Sequence, residues 1–217
     1  MAMNISWDAP TESFFENGID RGVLFPQVAG AYEMGYPWNG LTNVTESPEG
    51  AEPTDLWANN NKYATMISAE SYKGSITAYT YPDEFEACDG SASPEAGLKV
   101  FQQARQPFGV AYRTLIHSSG DGEMGYKLHL VYGCLVTPSE KSWATVNDSP
   151  EAVEFSWDFS TTPVAVTGYK PTSTMVIDSR TTDPAKLAWL EEQLYGVDSP
   201  VSDPRMPLPD EIINWAP

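Results

Sequence analysis

Along "YKLHLVYGCLV", Tyr126 to Val136, hydrophobic and polar residues follow the two-residue rhythm of a β-strand. By that count Tyr126, Leu128, Leu130, Tyr132, Cys134 and Val136 share one face. The other face begins with Lys127 and His129 and continues with Val131, Gly133 and Leu135, so the strand ends apolar on both sides and needs a cover for each. "EAVEFSWDFS" is the cleanest amphipathic strand, with Val153, Phe155, Trp157 and Phe159 opposite Glu154, Ser156 and Asp158. "PFGVAYRTLIH" and the opening stretch, joined by "SSGDGEMG", predict a hairpin from Phe108 to Val136, and "STMVID" predicts a further short strand.

The first 62 residues are punctuated by "DAP", "NG", "FPQ", "GYPWNG", "SPEGAEP" and "NNN". They predict brief strands from Gly18 to Phe25 and Leu41 to Glu46, a long loop over 46–61 and a tight turn at Asn59 to Asn61. From Tyr63 to Tyr81 the Thr-, Ser-, Tyr- and Ile-rich run predicts one bent strand or a hairpin, with a bulge or turn at Lys73-Gly74. One helix stands out in "DPAKLAWLEEQLYG": Asp183 can cap it, Pro184 suits its first turn, Leu187, Leu190 and Leu194 form a stripe, and Gly196 stops it. The pattern therefore predicts a mainly β fold, a sandwich or barrel-like body with one flanking α-helix. It divides a single domain over 1–217 into an N-terminal arm (1–17), the body (18–182), the helix (183–196) and a C-terminal arm (197–217).

Charge narrows the function classes. The chain carries 30 acidic against 12 basic residues, a formal net charge of -18, which opposes binding nucleic acid through phosphate attraction. Hydrophobic residues make up 41%, too many for a disordered acidic tail. The opening "MAMNISWDAP" has neither a basic start nor an apolar run, and no stretch approaches the roughly 20 apolar residues of a membrane helix, so a cytosolic product without membrane contact is expected. On that expectation the sequons at Asn4, Asn43 and Asn147 carry no meaning.

Candidate chemistry is sparse. Cys88 and Cys134 lie far apart without metal-ligand or redox spacing, and His117 and His129, the only histidines, would not face one another in the hairpin register. No nucleophile elbow, zinc-protease, phosphate-loop or dinucleotide motif occurs. Asp83, Glu84, Glu86 and Asp89 cluster but lack the spacing of a calcium loop, so they read as a solvated acidic loop. No catalytic, cofactor-binding or metal residue is assigned. An acidic glycoside hydrolase with paired carboxylates, or a monomeric carbohydrate-binding β-sandwich with exposed aromatics, stays open as an alternative.

The order of several segments adds more than any one of them. "GIDRGVLFPQ", "PWNGLTNVTESPEGAEP", "NKYATMISAESYKGSITAYTYPDEFEACDG", "GYKLHLVYG", "PSEKSWATVNDSPEAVEFSWDFSTTPV" and "MPLPDEI" together resemble a major tail tube protein of long-tailed, non-contractile bacteriophages, siphophages, especially of actinobacteria. The resemblance implies a structural virion protein made in the host cytoplasm, without catalytic residues. It implies hexameric rings stacked into a tube through which DNA leaves the capsid without specific binding, and a tape-measure protein, a tail terminator and tail-tip proteins as partners. Neighbouring subunits, as well as the subunit's own sheet, would then cover the two faces of Leu130 to Val136. Trp7, Phe14, Phe15, Trp57 and Trp215, isolated anchors in the arms and the long loop, are expected at ring-to-ring contacts, with docking of the C-terminal arm on its own subunit as the alternative. Six copies would carry six times -18, or -108. A lumen lined by the strand Ser68 to Thr80 with Glu70, and by Glu154, Ser156 and Asp158, would then repel DNA within about 8 Å of its wall.

Overall fold

The computed structural model describes residues 13–50, 53–66, 70–118, 122–143, 145, 152–198 and 200–216. Trp7, Asn4, Asn147 and Ser68 lie outside them. The fold is mainly β. In chain order the elements are β1 (Phe14–Pro26), β2 (Tyr36–Pro37), β3 (Leu41–Glu49), β4 (Thr54–Ala58), β5 (Asn61–Met66) and β6 (Ser71–Ala78). A short helix α1 (Glu86–Asp89) precedes β7 (Ser91–Glu95), β8 (Leu98–Phe101), β9 (Phe108–Ser118), β10 (Gly122–Val136), β11 (Phe155–Thr161) and β12 (Thr174–Asp178). Helix α2 (Pro184–Tyr195), the short pair β13 (Val197–Asp198) and β14 (Val201–Ser202), and helix α3 (Pro209–Ile213) complete the chain.

One eight-stranded antiparallel sheet runs β2-β1-β9-β10-β11-β6-β3, with β12 also on β10. β10 carries two partners along one edge, β12 over Lys127 to Val131 and β11 over Cys134 to Val136. That fork folds the sheet over, so that β3, β6 and β11 face β1, β9 and β10 across a core of Leu24, Ile76, Phe108, Val110, Val131, Trp157 and Phe159. Phe85 plugs this core, its ring centroid 4.7 Å from Trp38, 5.1 Å from Trp157 and 5.5 Å from Phe108. A second core lies on the other side of β9 and β10, where Phe25, Ala111, Leu128, Leu130 and Tyr132 meet Leu190 and Leu194 of α2 and Met206 and Ile212 of the C-terminal segment. Each leucine or isoleucine fully buried in this way contributes roughly 1.5–3 kcal/mol.

The two-faced strand of the sequence is thus covered largely by its own chain on both sides, with Leu135 left 40% exposed. Its alternation also breaks. Gly133 takes φ +62 in a bulge between Val131 and Cys134, and beyond it Cys134 and Val136 turn from the outer core, which holds Leu128, Leu130 and Tyr132, into the inner one. A Cβ at Gly133 would stand 2.3 Å from the Thr162 carbonyl oxygen. The bulge leaves no orphan amide: Gly133 N donates to the Tyr32 hydroxyl at 2.9 Å, and Gly133 O accepts from Thr162 N at 3.0 Å.

Helix α2 forms as its signals require. Asp183 Oδ1 accepts from Ala185 N and Lys186 N at 2.9 and 3.1 Å, Pro184 occupies the first turn, and Gly196 with φ +75 ends it. The C-terminal segment is no free arm. Gly35 N donates to Pro204 O at 2.8 Å, Met206 N to Tyr32 O at 2.9 Å, Arg205 N to Gln193 O at 2.7 Å, and the Tyr132 hydroxyl to Pro207 O at 3.0 Å, while Met206 and Ile212 are buried. Trp215 packs on Trp189, ring centroids 6.4 Å apart, so this anchor too is used within the subunit.

Four further expectations need correction. Most of the loop over 46–61 is strand: β3 continues to Glu49, and β4 pairs with β5 through an Asn59-Asn60 turn with φ +50 and +64, the positive pair a two-residue hairpin demands. Lys73-Gly74 is mid-strand in β6, where Gly74 is needed because a Cβ would meet Thr45 O at 2.4 Å and the Phe159 ring at 2.5 Å. Residues 14–17 belong to β1 and pair with β9, and Val153 precedes β11 and is exposed.

Candidate functional site

The outer face of β3, β6 and β11 is a patch of mostly small polar side chains. Cross-strand register sets Asn43, Thr77 and Ser156 in one row, Thr45, Ser75 and Asp158 in the next, and Ser47, Lys73 and Ser160 in the third. The reverse face of the same strands carries Val44, Ile76 and Trp157 into the inner core, so the period-two pattern fixes which residues face outward. Ser156 and Asp158 are therefore neighbours of β6, as the sequence pattern required for a shared surface. Glu154 sits at the patch's end and accepts from Thr42 Oγ1 at 2.6 Å, and Glu70 is exposed just before β6. The rows hold one cation and one anion, with no large apolar group.

The hairpin β4–β5 is the opposite kind of surface. It forms a sheet of its own, tied internally by Asp55, which accepts from Lys62 at 2.7 Å and Thr65 at 2.8 Å. Trp57 is 68% and Tyr63 78% exposed, and Leu56 and Met66 are exposed beside them. A two-stranded ribbon is marginal alone, and large apolar side chains on it mark a contact surface. Phe14 and Phe15 on β1 are also exposed, although Arg180 lies over the Phe14 ring and Phe15 stacks on His117 at 5.7 Å.

Between the edges of β1 and β3 the folded sheet opens into a cleft of about 450 Å³, lined by Gly18, Ile19, Thr42, Asn43 and Val44 and floored by Glu46, Tyr112, Thr114 and His129. The floor is a polar cluster that spacing along the chain did not reveal, because its members come from three strands. Tyr112 donates its hydroxyl proton to Glu46 Oε1, His129 stacks on Tyr112 at 4.7 Å and 6°, His129 Nδ1 stands 3.6 Å from Glu46 Oε1, and Nε2 shares a 3.0 Å hydrogen bond with Thr114 Oγ1. Burial works to raise the Glu46 pKa, but the Tyr112 hydrogen bond and the neighbouring His129 and Tyr72 side chains outweigh it and bring the carboxyl down to about 2. Burial and the Glu46 charge push the Tyr112 and Tyr72 hydroxyls well above the usual tyrosine range. The cluster ties β3 to β9 and β10 across the cleft and keeps Glu46 ionised.

The acidic cluster of the sequence separates. Glu86 pairs with Lys99 and accepts from Ser93 Oγ at 2.7 Å, Asp89 accepts from Lys141 at 2.6 Å, and Asp83 and Glu84 are exposed. His117 pairs across the hairpin with Glu123 and His129 with Tyr112, so the histidines do not meet. Cys88 and Cys134 are free and buried in the inner core, where burial raises both thiols. Among the described residues no group of three or more His, Cys, Asp or Glu is arranged to hold a metal ion, and no helix is long and apolar enough to cross a membrane. No protein-family model matches the sequence, and no curated protein matches it.

Proposed function

We propose that the chain is a structural subunit whose copies close into hexameric rings and stack into a bacteriophage tail tube, a conduit for DNA. The observation that carries this reading is the pairing of two unlike surfaces on one mainly β subunit: the small-residue polar patch of β3, β6 and β11, and the apolar, self-paired hairpin β4–β5. A channel for DNA needs a wall that offers phosphates neither clustered cations nor apolar grip, and the patch has that character. A stacked ring needs a projecting element that buries apolar side chains only on assembly, and Trp57 and Tyr63 supply it. The resemblance of the ordered segments to tail tube proteins points the same way. The tape-measure, terminator and tail-tip proteins are the partners this reading brings with it.

The test is electron microscopy and sedimentation of the purified protein over a wide concentration range. Rings or tubes are the expected result. A uniform monomer at high concentration overturns the proposal, and a monomer that binds glycans or cleaves them supports the carbohydrate-directed alternative instead. Because the C-terminal segment is docked on its own chain, the ring-to-ring role expected of the chain ends and the 46–61 segment rests with the β4–β5 hairpin: Trp57→Ala with Tyr63→Ala should leave the subunit folded and block stacking.

A further inference from the structure

Phe101, at the end of β8, and Trp143, in the segment after β10, are 58% and 71% exposed and border one pocket of about 320 Å³. Arg105, Lys141 and the carboxylate Asp89 line the same pocket. Two cations beside two exposed aromatics is a notable concentration in a chain with only 12 basic residues. Lys141 is already engaged, its Nζ 2.6 Å from Asp89 Oδ2 and 5.5 Å from the Phe101 ring centre. Arg105 is not: its Nε is buried without an acceptor, and no carboxylate pairs with its guanidinium among the described residues. Its stem lies against Gly90, where a Cβ would come within 3.1 Å of Arg105 Cγ, so the backbone there leaves room for the side chain and fixes its course.

The pocket wall is also strained. Gln102 adopts φ +66, a left-handed conformation uncommon for a side chain of this kind, between the exposed Phe101 and the Gln103 amide that donates to Gly90 O at 3.0 Å. Gln103 Nε2 also donates to Phe101 O at 2.9 Å, which holds the bend that presents the Phe101 ring. A buried, unmatched charged donor calls for an acceptor, and a guanidinium matches a carboxylate best.

We propose that this pocket docks a carboxylate-bearing segment of a second copy of this chain, Arg105 taking the carboxylate while Phe101 and Trp143 cover the adjoining apolar atoms. The inference rests on the assembly reading above and deepens it. Charge complementarity selects the occupant: a chain with net charge -18 and 30 acidic residues repels its own copies in general, so specific self-association depends on the places where a cation is exposed to a partner's acid. At about 320 Å³ the pocket accommodates one or two side chains, an anchor site and not a whole interface.

The experiment compares wild type with Arg105→Glu and Trp143→Ala by sedimentation velocity and electron microscopy at low and high salt, with circular dichroism and thermal melting as fold controls. Each variant should melt like wild type yet weaken association by about tenfold or more. Arg105→Lys and Trp143→Phe should recover part of the loss, and the Arg105→Glu deficit should shrink as salt rises. If Arg105→Glu misfolds, Arg105→Gln with Trp143→Ala decides by the same readout. Variants that assemble like wild type overturn this pocket while leaving the assembly reading standing; a wild type that never associates overturns both. Galacturonic acid serves as a glycan probe: binding to the monomer that Arg105→Glu abolishes makes the pocket a small-ligand site and overturns the docking proposal.

Discussion

Replacing Glu46 with glutamine removes a charge from the floor of the cleft and keeps an oxygen that can accept from Tyr112. The native carboxyl titrates at about 2 against an ordinary 4.5, a difference of about 2.5 pH units. At about 1.4 kcal/mol per unit that is on the order of 3 kcal/mol of folding stability. The Glu46 side chain is 27% exposed, so solvent screening discounts this only modestly. Because the folded-state pKa is depressed, the contribution is fully present above about pH 5 and is lost as pH falls through 4.5 toward 2. Urea unfolding of wild type and Glu46→Gln, at concentrations low enough to keep both unassembled, measures it pH by pH. Subtracting one curve from the other removes the titration of every other carboxylate. The wild-type advantage should be roughly 2–3 kcal/mol at pH 7 and should shrink to near zero by pH 2. A difference that stays constant from pH 7 to pH 2 would show that Glu46 gains nothing from its ionised form, and the account of the cluster would fail.

Other expectations follow from packing and surface character. Gly133→Ala forces a Cβ against the Thr162 carbonyl at a positive φ and should cost about 2 kcal/mol or more, read as a lower urea midpoint with an unchanged slope. Deleting Leu208 to Pro217 removes Ile212 from the outer core and the Asp210 carboxylate from Thr167, and should lower subunit stability by roughly 3 kcal/mol; a truncated chain that melts like wild type would contradict the docking described above. Ser75→Lys with Asp158→Lys adds positive charge to the middle row of the polar patch, and in phage particles should leave tails assembled but slow DNA ejection, with the defect easing as salt rises. Normal ejection at low salt would remove that patch from the channel.

The elements were legible where local chemistry is decisive. Helix α2 carries its cap, its proline and its terminating glycine within 14 residues, from Asp183 to Gly196, and forms where those signals place it. The hairpin of β9 and β10 and the amphipathic rhythm of β11 follow from alternation alone. Gly133 defeated the same rule, because a one-residue bulge inverts every side chain after it, and a glycine inside an apolar run does not announce the phase change. The cover over the outer face of β10 was illegible for a different reason. Leu190, Leu194, Met206 and Ile212 lie more than 50 residues downstream, and sequence spacing does not encode which distant apolar groups meet. The Glu46, Tyr112 and His129 cluster is hidden likewise: Glu46 and His129 look unpartnered along the chain and become neighbours only when β3 folds over β9 and β10. The polar patch was half visible, since the exposed residues of β11 could be read but their alignment with β6 and β3 awaited the register.

β10 belongs to both hydrophobic cores, its Val131 already in the inner one and the phase change at Gly133 adding Cys134 and Val136, and this decides how the subunit comes apart. Val131, Cys134 and Val136 hold the inner core together while Leu128, Leu130 and Tyr132 hold the outer one, so melting either core frees the strand on which the other is built. Neither can open as a separate foldon. Amide protons of β9 and β10 should exchange with solvent only through global unfolding, and at one common rate from Val110 to Tyr112 and from Leu128 to Tyr132. A load applied at the polar face of β11 passes through β10 directly to α2 and the C-terminal segment, so the subunit responds as one mechanical body from one side to the other.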